Sequence, residues 1–165
     1  EAVPGARLWV VGSGQPAYEQ ALQERARRLA LAGKTTFWGR VSEAQKLDLM
    51  GRAHVLIHPS VKEGWGLVVL EANAQGTPAV GYAVAGLRDS IRHGETGLLT
   101  PPRQPGALAE AIVSLWEDGP RREAFSRAAL AWAARFHWDD SARAWCEVLE
   151  DVSHRYPLAL QEKVG

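Results

Sequence analysis

The apolar positions of the chain alternate between short strand-like runs and longer helix-like stretches. The short runs are rich in β-branched and aromatic residues and are bounded by glycine, proline or polar residues, which is the pattern of strands. They predict five strands, at residues 7–12, 35–39, 53–60, 77–82 and 97–100. We expect the first and third strands to be buried, because their apolar runs are nearly continuous.

Helix formers fill most of the chain between these strands. The predicted helices cover residues 17–33 with a stop at Gly33, 43–50 with Ser42 as N-cap, 66–76 with a stop at Gly76, about 87–91, and most of 105–152. The last stretch should break near residues 119–120 and 137–138. Strands alternating with helices indicate a parallel sheet with helices on both faces. The predicted fold is therefore α/β, Rossmann-like, with a helical C-terminal tail and ligands at the carboxyl ends of the strands.

Composition narrows the classes of function. The 165 residues suit one domain, 1–165, and 19 basic and 19 acidic side chains give a formal net charge of zero. That balance gives no electrostatic support for nucleic acid as a partner. Cys146 is the only cysteine, and no apolar run reaches the ~20 residues that would cross a bilayer. With no signal-peptide character at the N-terminus, we expect a cytoplasmic protein without a transmembrane segment.

The chemistry is concentrated between the third predicted strand and the helix that follows it. The turn holds Glu63, Gly64, Trp65 and Gly66, and the helix should begin near Gly66 or Leu67. The first turn of a helix offers free backbone N–H groups and the positive end of its dipole. Glycines without a Cβ let a ligand approach that backbone closely. These features predict an anion site suited to a diphosphate.

Two glutamates flank this turn, Glu63 just before the helix and Glu71 about one turn into it. A carboxylate repels phosphate, so both are better suited to accept hydrogen bonds from hydroxyl groups. A sugar and a ribose both carry such hydroxyls, and the pattern therefore suits a nucleoside diphosphate sugar. The spacing alone would favour the alternative of two solvated carboxylates, and the Gly-rich turn and the wider sequence pattern argue against it.

The segment "EGWGLVVLEA" resembles the Glu-(seven residues)-Glu motif of retaining GT-B glycosyltransferases of group 1, also called family four. The segments "LWVVGSG", "EANAQGTPAVGY" and "HGETGLLTPP" are similar to the order and spacing of that family's C-terminal domain. The resemblance implies one half of a GT-B fold and transfer of a sugar, with retention, from a UDP-, GDP- or ADP-sugar to an acceptor hydroxyl. It also implies no cofactor and no required metal.

The resemblance implies a role for each matching residue. Glu63 would be the catalytic residue, in contact with sugar hydroxyls near the reacting carbon, and Glu71 would hold the ribose hydroxyls. The backbone groups that would meet the sugar and diphosphate belong to Gly64, Trp65, Gly66 and Leu67. The residues that would line the nucleotide pocket are Arg40, Val41, Gly12 and Gly14. The Trp65 ring would either flank the sugar or anchor the loop.

Two features of the family pattern are missing, and two residues depart from it. The family's domain normally opens with another strand and a loop whose arginine and lysine neutralise the diphosphate, and it follows an N-terminal acceptor domain. We therefore expect this chain to be part of a longer enzyme, with that acceptor domain as its partner. Peripheral membrane association of the full enzyme is compatible with this expectation. Without the opening strand, residues 7–12 and 53–60 must pair directly, or another segment or another chain must fill the gap. Asp89 and Asn73 replace the family's usual glutamate and methionine.

Several alternatives stay open at this point. Residues 12–17, "GSGQPA", fit a dinucleotide-binding turn, and Arg40 after the next strand would suit NADP. The chain could also bind a nucleotide sugar without transferring it, or be a sugar-nucleotide epimerase. His58 is read as a structural histidine at the end of a strand. The tryptophans other than Trp65 and the cysteine are read as packing residues, and the five histidines show no metal-ligand spacing.

Overall fold

The computed structural model describes residues 3 and 5–156 of the chain. The strands of this part are β1 (Leu8–Val11), β2 (Thr35–Gly39), β3 (Leu56–His58), β4 (Ala79–Tyr82) and β5 (Gly97–Thr100). The helices are α1 (Pro16–Arg28), α2 (Glu43–Arg52), α3 (Leu67–Ala74), α4 (Ala85–Ser90), α5 (Pro105–Glu117), α6 (Gly119–Ala133) and α7 (Trp138–Arg155). The predicted alternation of strands and helices is confirmed, and so are the bounds of β2 and β5.

The strands form two parallel sheets rather than one. β1 pairs with β2, and the second sheet has the order β3-β4-β5, with every pairing parallel. Within the described residues β1 and β3 are not hydrogen-bonded neighbours. The alternative in which these two strands pair directly is therefore wrong, and the alternative in which another segment lies between them stays a prediction.

The best-packed part of the molecule surrounds the second sheet. Every residue of β4 is buried. Val80, Tyr82 and Leu98 pack with Leu115 of α5 on one side, while Ala79 packs with the α3 and α4 side chains on the other. Burial of this kind contributes roughly 25 cal/mol for each Å² of apolar surface removed from water. The second sheet therefore provides the rigid base on which the loop after β3 is held.

The prediction that β1 and β3 are buried is wrong. Leu8 and Val11 of β1 are 45% and 41% exposed, and every residue of β3 is only partly buried. In the part of the chain that the structure describes, each of these strands has a paired neighbour on one edge only. A strand needs neighbours on both edges and helices on both faces to be buried, so a continuous apolar run does not ensure it.

Glycine was predicted to end two helices, and this prediction is confirmed for α3 and wrong for α1. α3 ends at Ala74, and Gly76 follows with a left-handed φ of 77° while Thr77 N–H donates to the Ala72 carbonyl. α1 instead ends at Arg28, five residues before Gly33. Ala30 takes the left-handed conformation there, with φ of 56°, and a short 3₁₀ helix spans Ala32–Lys34.

The last helix, α7, buries none of its residues within the described part of the chain. Trp138 is 83% exposed, and Trp145 and Cys146 are also exposed. The expectation that these three are packing residues is therefore wrong for the described residues, because no other element covers their face of the helix. No helix in this part of the chain is both long enough and apolar enough to span a membrane.

Candidate functional site

The turn between β3 and α3 is packed tightly against α4. Gly66, its last residue, has a left-handed φ of 85°, and a Cβ there would lie 2.9 Å from Cδ2 of Leu87. A Cβ on Gly86 would lie 2.5 Å from the carbonyl carbon of Gly64. The contact at position 86 is with backbone that cannot move aside, so this position requires glycine, and at position 66 the left-handed φ favours glycine. The turn is therefore fixed by close backbone packing.

The first turn of α3 presents free donors. Gly66 is the N-cap and has no side chain to satisfy them. In the described part of the chain, the backbone N–H groups of Leu67 and Val68 have no hydrogen-bond partner. A Cβ on Gly64 would meet nothing within 4 Å, so this side of the turn is open. Free N–H groups at a helix N-terminus next to an open surface can bind an anion such as a phosphate.

Glu63 is held by two neighbours at the start of this turn. Nε2 of His58, the last residue of β3, lies 2.9 Å from Glu63 Oε2, and Gly64 N–H donates to Glu63 Oε1 at 3.1 Å. Both the His58 and Glu63 side chains are mostly buried. The pKa of Glu63 is lowered from its ordinary value, mainly by the hydrogen bond with His58, while burial opposes the shift. Glu63 is therefore an ionised carboxylate in a fixed orientation.

Glu71 is held by a lysine from another helix. Lys46 of α2 places its Nζ 2.9 Å from Glu71 Oε2 and 2.8 Å from Glu43 Oε1. The pKa of Lys46 is raised, first by the hydrogen bond with Glu43 and then by the one with Glu71. The sequence analysis missed Lys46, because no spacing rule connects residues on two packed helices. The one available signal was that lysine is rare in this chain.

The ring of Trp65 contacts Phe136, in the short segment between α6 and α7. Its centroid lies 5.9 Å from that of Phe136 in an edge-to-face arrangement, and Phe136 packs 4.9 Å from Trp132 in the same way. Trp132 Nε1 then donates to the Ser90 carbonyl at the end of α4. These contacts favour the loop-anchoring role of Trp65. The sequence analysis did not identify Phe136 or Trp132 as its partners.

The four remaining predicted residues lie at the ends of β1 and β2. Gly12 follows β1, has φ of 121° and donates its N–H to the Gly39 carbonyl at 2.8 Å. Gly14 N–H donates to Oε1 of Glu19. Arg40 and Val41 follow β2 and lead into α2. Within the described residues no hydrogen bond joins these four to the Gly-rich turn. The Lys46–Glu71 ion pair joins α2, which follows Val41, to α3.

Other sites are sparse. The described residues contain no group of three His, Cys, Asp or Glu side chains that could hold a metal ion. A shallow hollow of about 170 Å³ between α1 and β2 includes none of the predicted site residues.

Comparison with known proteins agrees with this geometry. The sequence profile of the glycosyl transferases group 1 matches residues 1–132, which is most of the chain. The chain belongs to the group 1 glycosyl transferases. The D-inositol 3-phosphate glycosyltransferase of Streptomyces scabiei (strain 87.22) is 37% identical over 143 residues, which cover 87% of this chain and 32% of that protein.

Solved structures give the same result for the fold of this group 1 chain. Sucrose-phosphate synthase from Thermosynechococcus elongatus matches 93% of this chain and 40% of its own, with a TM-score of 0.85 and 28% identity. Anabaena HepE in complex with UDP-glucose matches 90% of this chain and 42% of its own, with a TM-score of 0.83 and 27% identity. The fold is that of GT-B glycosyltransferases, as predicted, and the chain spans about a third of the length of the curated relatives it matches.

Proposed function

We propose that this chain is the donor-binding half of a retaining glycosyltransferase that transfers a hexose-type sugar from a nucleoside diphosphate sugar to an acceptor hydroxyl. The observation that carries the proposal is the arrangement of two fixed carboxylates on either side of a helix N-terminus with free N–H groups. An acceptor domain outside these residues would complete the enzyme. We also propose a cytoplasmic location, where nucleotide sugars would be available.

Each part of the donor matches one part of the site. The diphosphate would lie at the N-terminus of α3, where the N–H groups of Leu67 and Val68 favour negative charge and would stabilise the leaving group. The carboxylates would repel a phosphate and therefore contact only hydroxyl groups. Glu63, in the turn, would accept hydrogen bonds from the transferred sugar, and Glu71, on α3, from the ribose. The nucleotide pocket would be lined by the residues that follow β1 and β2: Gly12, Gly14, Arg40 and Val41.

His58 would act in this reaction by positioning Glu63. Its imidazole holds one carboxylate oxygen, while the Gly64 N–H holds the other. Small errors in position are costly in catalysis, since a displacement of about 1 Å can cost roughly a hundredfold in rate. Glu63 would therefore depend on His58 for its orientation.

The relatives support the class of donor. HepE is described in complexes with UDP, with UDP and glucose, and with UDP-glucose. UDP-glucose is therefore the first donor to test, and GDP- and ADP-sugars are the alternatives. Transfer without a bound metal belongs to the same proposal. Basic residues outside this chain would share the diphosphate charge.

A thermal-shift screen of the chain against UDP, GDP, ADP and their glucose conjugates tests this function. We expect one nucleoside diphosphate to raise the unfolding temperature at millimolar concentration, because a ligand that binds only the folded state stabilises it. No shift with any of the six compounds would contradict the proposal. A donor-turnover assay then separates a transferase from a binding module, and conversion of one sugar nucleotide to another without an acceptor would indicate an epimerase.

A further inference from the structure

The ammonium group of Lys46 lies between two helices at the ribose end of the proposed site. Its Nζ is 2.9 Å from Glu71 Oε2 on α3 and 2.8 Å from Glu43 Oε1 on its own helix α2. The Lys46 side chain is mostly buried and that of Glu71 about one-third exposed. One oxygen of Glu71 is therefore already occupied before any nucleotide binds.

This pairing changes what Glu71 can offer to a ribose. A carboxylate has two oxygens with about four acceptor sites, of which Lys46 uses one on Oε2, so Oε1 keeps its full capacity. An ammonium group has three N–H donors, and Glu43 and Glu71 use two of those of Lys46. The pair therefore keeps an acceptor on Glu71 and a third donor on the neighbouring Lys46. A ribose diol matches such a pair, since one hydroxyl can donate to Oε1 while the other accepts from Nζ.

We propose that Lys46 is a nucleotide-binding residue that forms the ribose subsite together with Glu71. The inference rests on the proposed function, because it needs a nucleotide at this end of the turn. It adds a donor from α2 to a subsite that the family resemblance assigns to Glu71 alone. It also makes the packing of α2 against α3 a condition for binding, since the two halves of the subsite come from different helices.

A partly exposed ion pair of this kind is worth little for stability, on the order of 1 kcal/mol. Its role in binding can therefore be separated from a role in the fold. A ligand that lacks the ribose diol separates these two roles of Lys46. A residue that acts on the ribose loses its effect when the hydroxyl groups are removed, whereas a residue that acts through net charge or through the fold does not.

The test measures calorimetric affinities of UDP and of its 2′,3′-dideoxy analogue. The variants are Lys46→Met, Glu71→Ala and Lys34→Met, the last removing an exposed lysine from the 3₁₀ helix that precedes β2. For Lys46→Met we expect UDP to bind roughly tenfold more weakly, which is the usual cost of losing a hydrogen bond to a charged group. The dideoxy analogue should bind that variant and the unchanged chain equally, and Lys34→Met should leave both affinities unchanged.

Three results would overturn the inference. Lys46→Met could weaken the two ligands equally, it could weaken neither, or Lys34→Met could reproduce its effect. If one of these three results appears while Glu71→Ala weakens UDP and spares the dideoxy analogue, the proposed function stands and only the role of Lys46 fails. If the unchanged chain binds neither ligand, and GDP and ADP also fail, the proposed function itself fails. Unfolding temperatures of all variants show that each one is folded.

Discussion

The two glutamates that flank the Gly-rich turn are held in different ways, Glu63 at the proposed sugar end of the site and Glu71 at the proposed ribose end. Glu63 is paired with His58, which lies five residues earlier at the end of β3, so this end is built from one short segment. Glu71 is paired with Lys46 from a different helix, so that end depends on the packing of α2 against α3. The proposed sugar end is therefore set locally, whereas the proposed ribose end is set by tertiary packing.

The largest effect should come from removing the carboxylate at the sugar end. Glu63→Gln should lower transfer by about a hundredfold or more, because the acceptor for the reacting sugar loses its charge and its pairing with His58. The measurement is UDP release by the chain joined to the proposed acceptor domain. The control is Glu95→Gln, which removes an exposed glutamate from the turn before β5 and should retain the full transfer rate. Near-normal transfer by the Glu63 variant would show that this carboxylate does not act on the transferred sugar.

The ribose end should respond in affinity rather than in rate. Glu71→Ala should weaken nucleoside diphosphate binding by roughly tenfold to a hundredfold, because hydrogen bonds to a charged group are lost. Calorimetry with UDP measures the effect, and Glu110→Ala on the exposed side of α5 is the matched control. Unchanged affinity in the Glu71 variant would show that this carboxylate does not contact the nucleotide.

The turn between the two ends can be tested by stability. Gly66→Ala should destabilise the fold by about 1–3 kcal/mol, because its left-handed φ is strained for alanine and the new Cβ would press against Leu87. Gly64→Ala is the comparison, since its Cβ would meet open space. That change should cost less than about 0.5 kcal/mol. Urea unfolding of both variants decides it, and equal costs would contradict the packing described for the turn.

The smallest effect concerns acid stability at the sugar end. The pKa of Glu63 is lowered below its ordinary value of 4.5, chiefly by its hydrogen bond with His58. The ionised Glu63 therefore stabilises the fold above pH 4.5, and this stability is lost as the pH falls through the lowered pKa. His58→Asn should remove part of that acid-sensitive stability, less than about 1 kcal/mol. Unfolding temperatures measured from pH 3 to pH 7 should fall less steeply below pH 4.5 in the variant, and parallel curves would show that His58 does not control the ionisation of Glu63.

Most of the fold was predictable because its signals are local. Ser42 caps α2 as predicted, with its Oγ accepting from Gln45 N–H, and the order of strands and helices follows the periodicity of the sequence. The exposure of β1 was not predictable, because burial depends on which elements lie beside a strand. The predicted end of α1 was also wrong, because Ala30 adopts the left-handed conformation that glycine usually has at the end of a helix.

The candidate site shows the same limit. The Glu63 turn was predicted as a unit, because its residues are adjacent in sequence and its glycines point to a tight backbone. The partner of Glu71 was not, because Lys46 reaches it only through the packing of two helices. The contact of Trp65 with Phe136 was missed for the same reason, since the segment after α6 meets the loop only in the folded chain.

The division of roles between the two glutamates is the central claim, and one calorimetric comparison tests it most directly. UDP and UDP-glucose are titrated into the unchanged chain and into Glu63→Gln and Glu71→Ala. The account predicts that Glu71→Ala weakens both ligands by the same factor. It predicts that Glu63→Gln leaves UDP affinity unchanged and removes only the additional affinity that glucose contributes. Equal weakening of UDP by both variants, or an unchanged glucose contribution in Glu63→Gln, would contradict it.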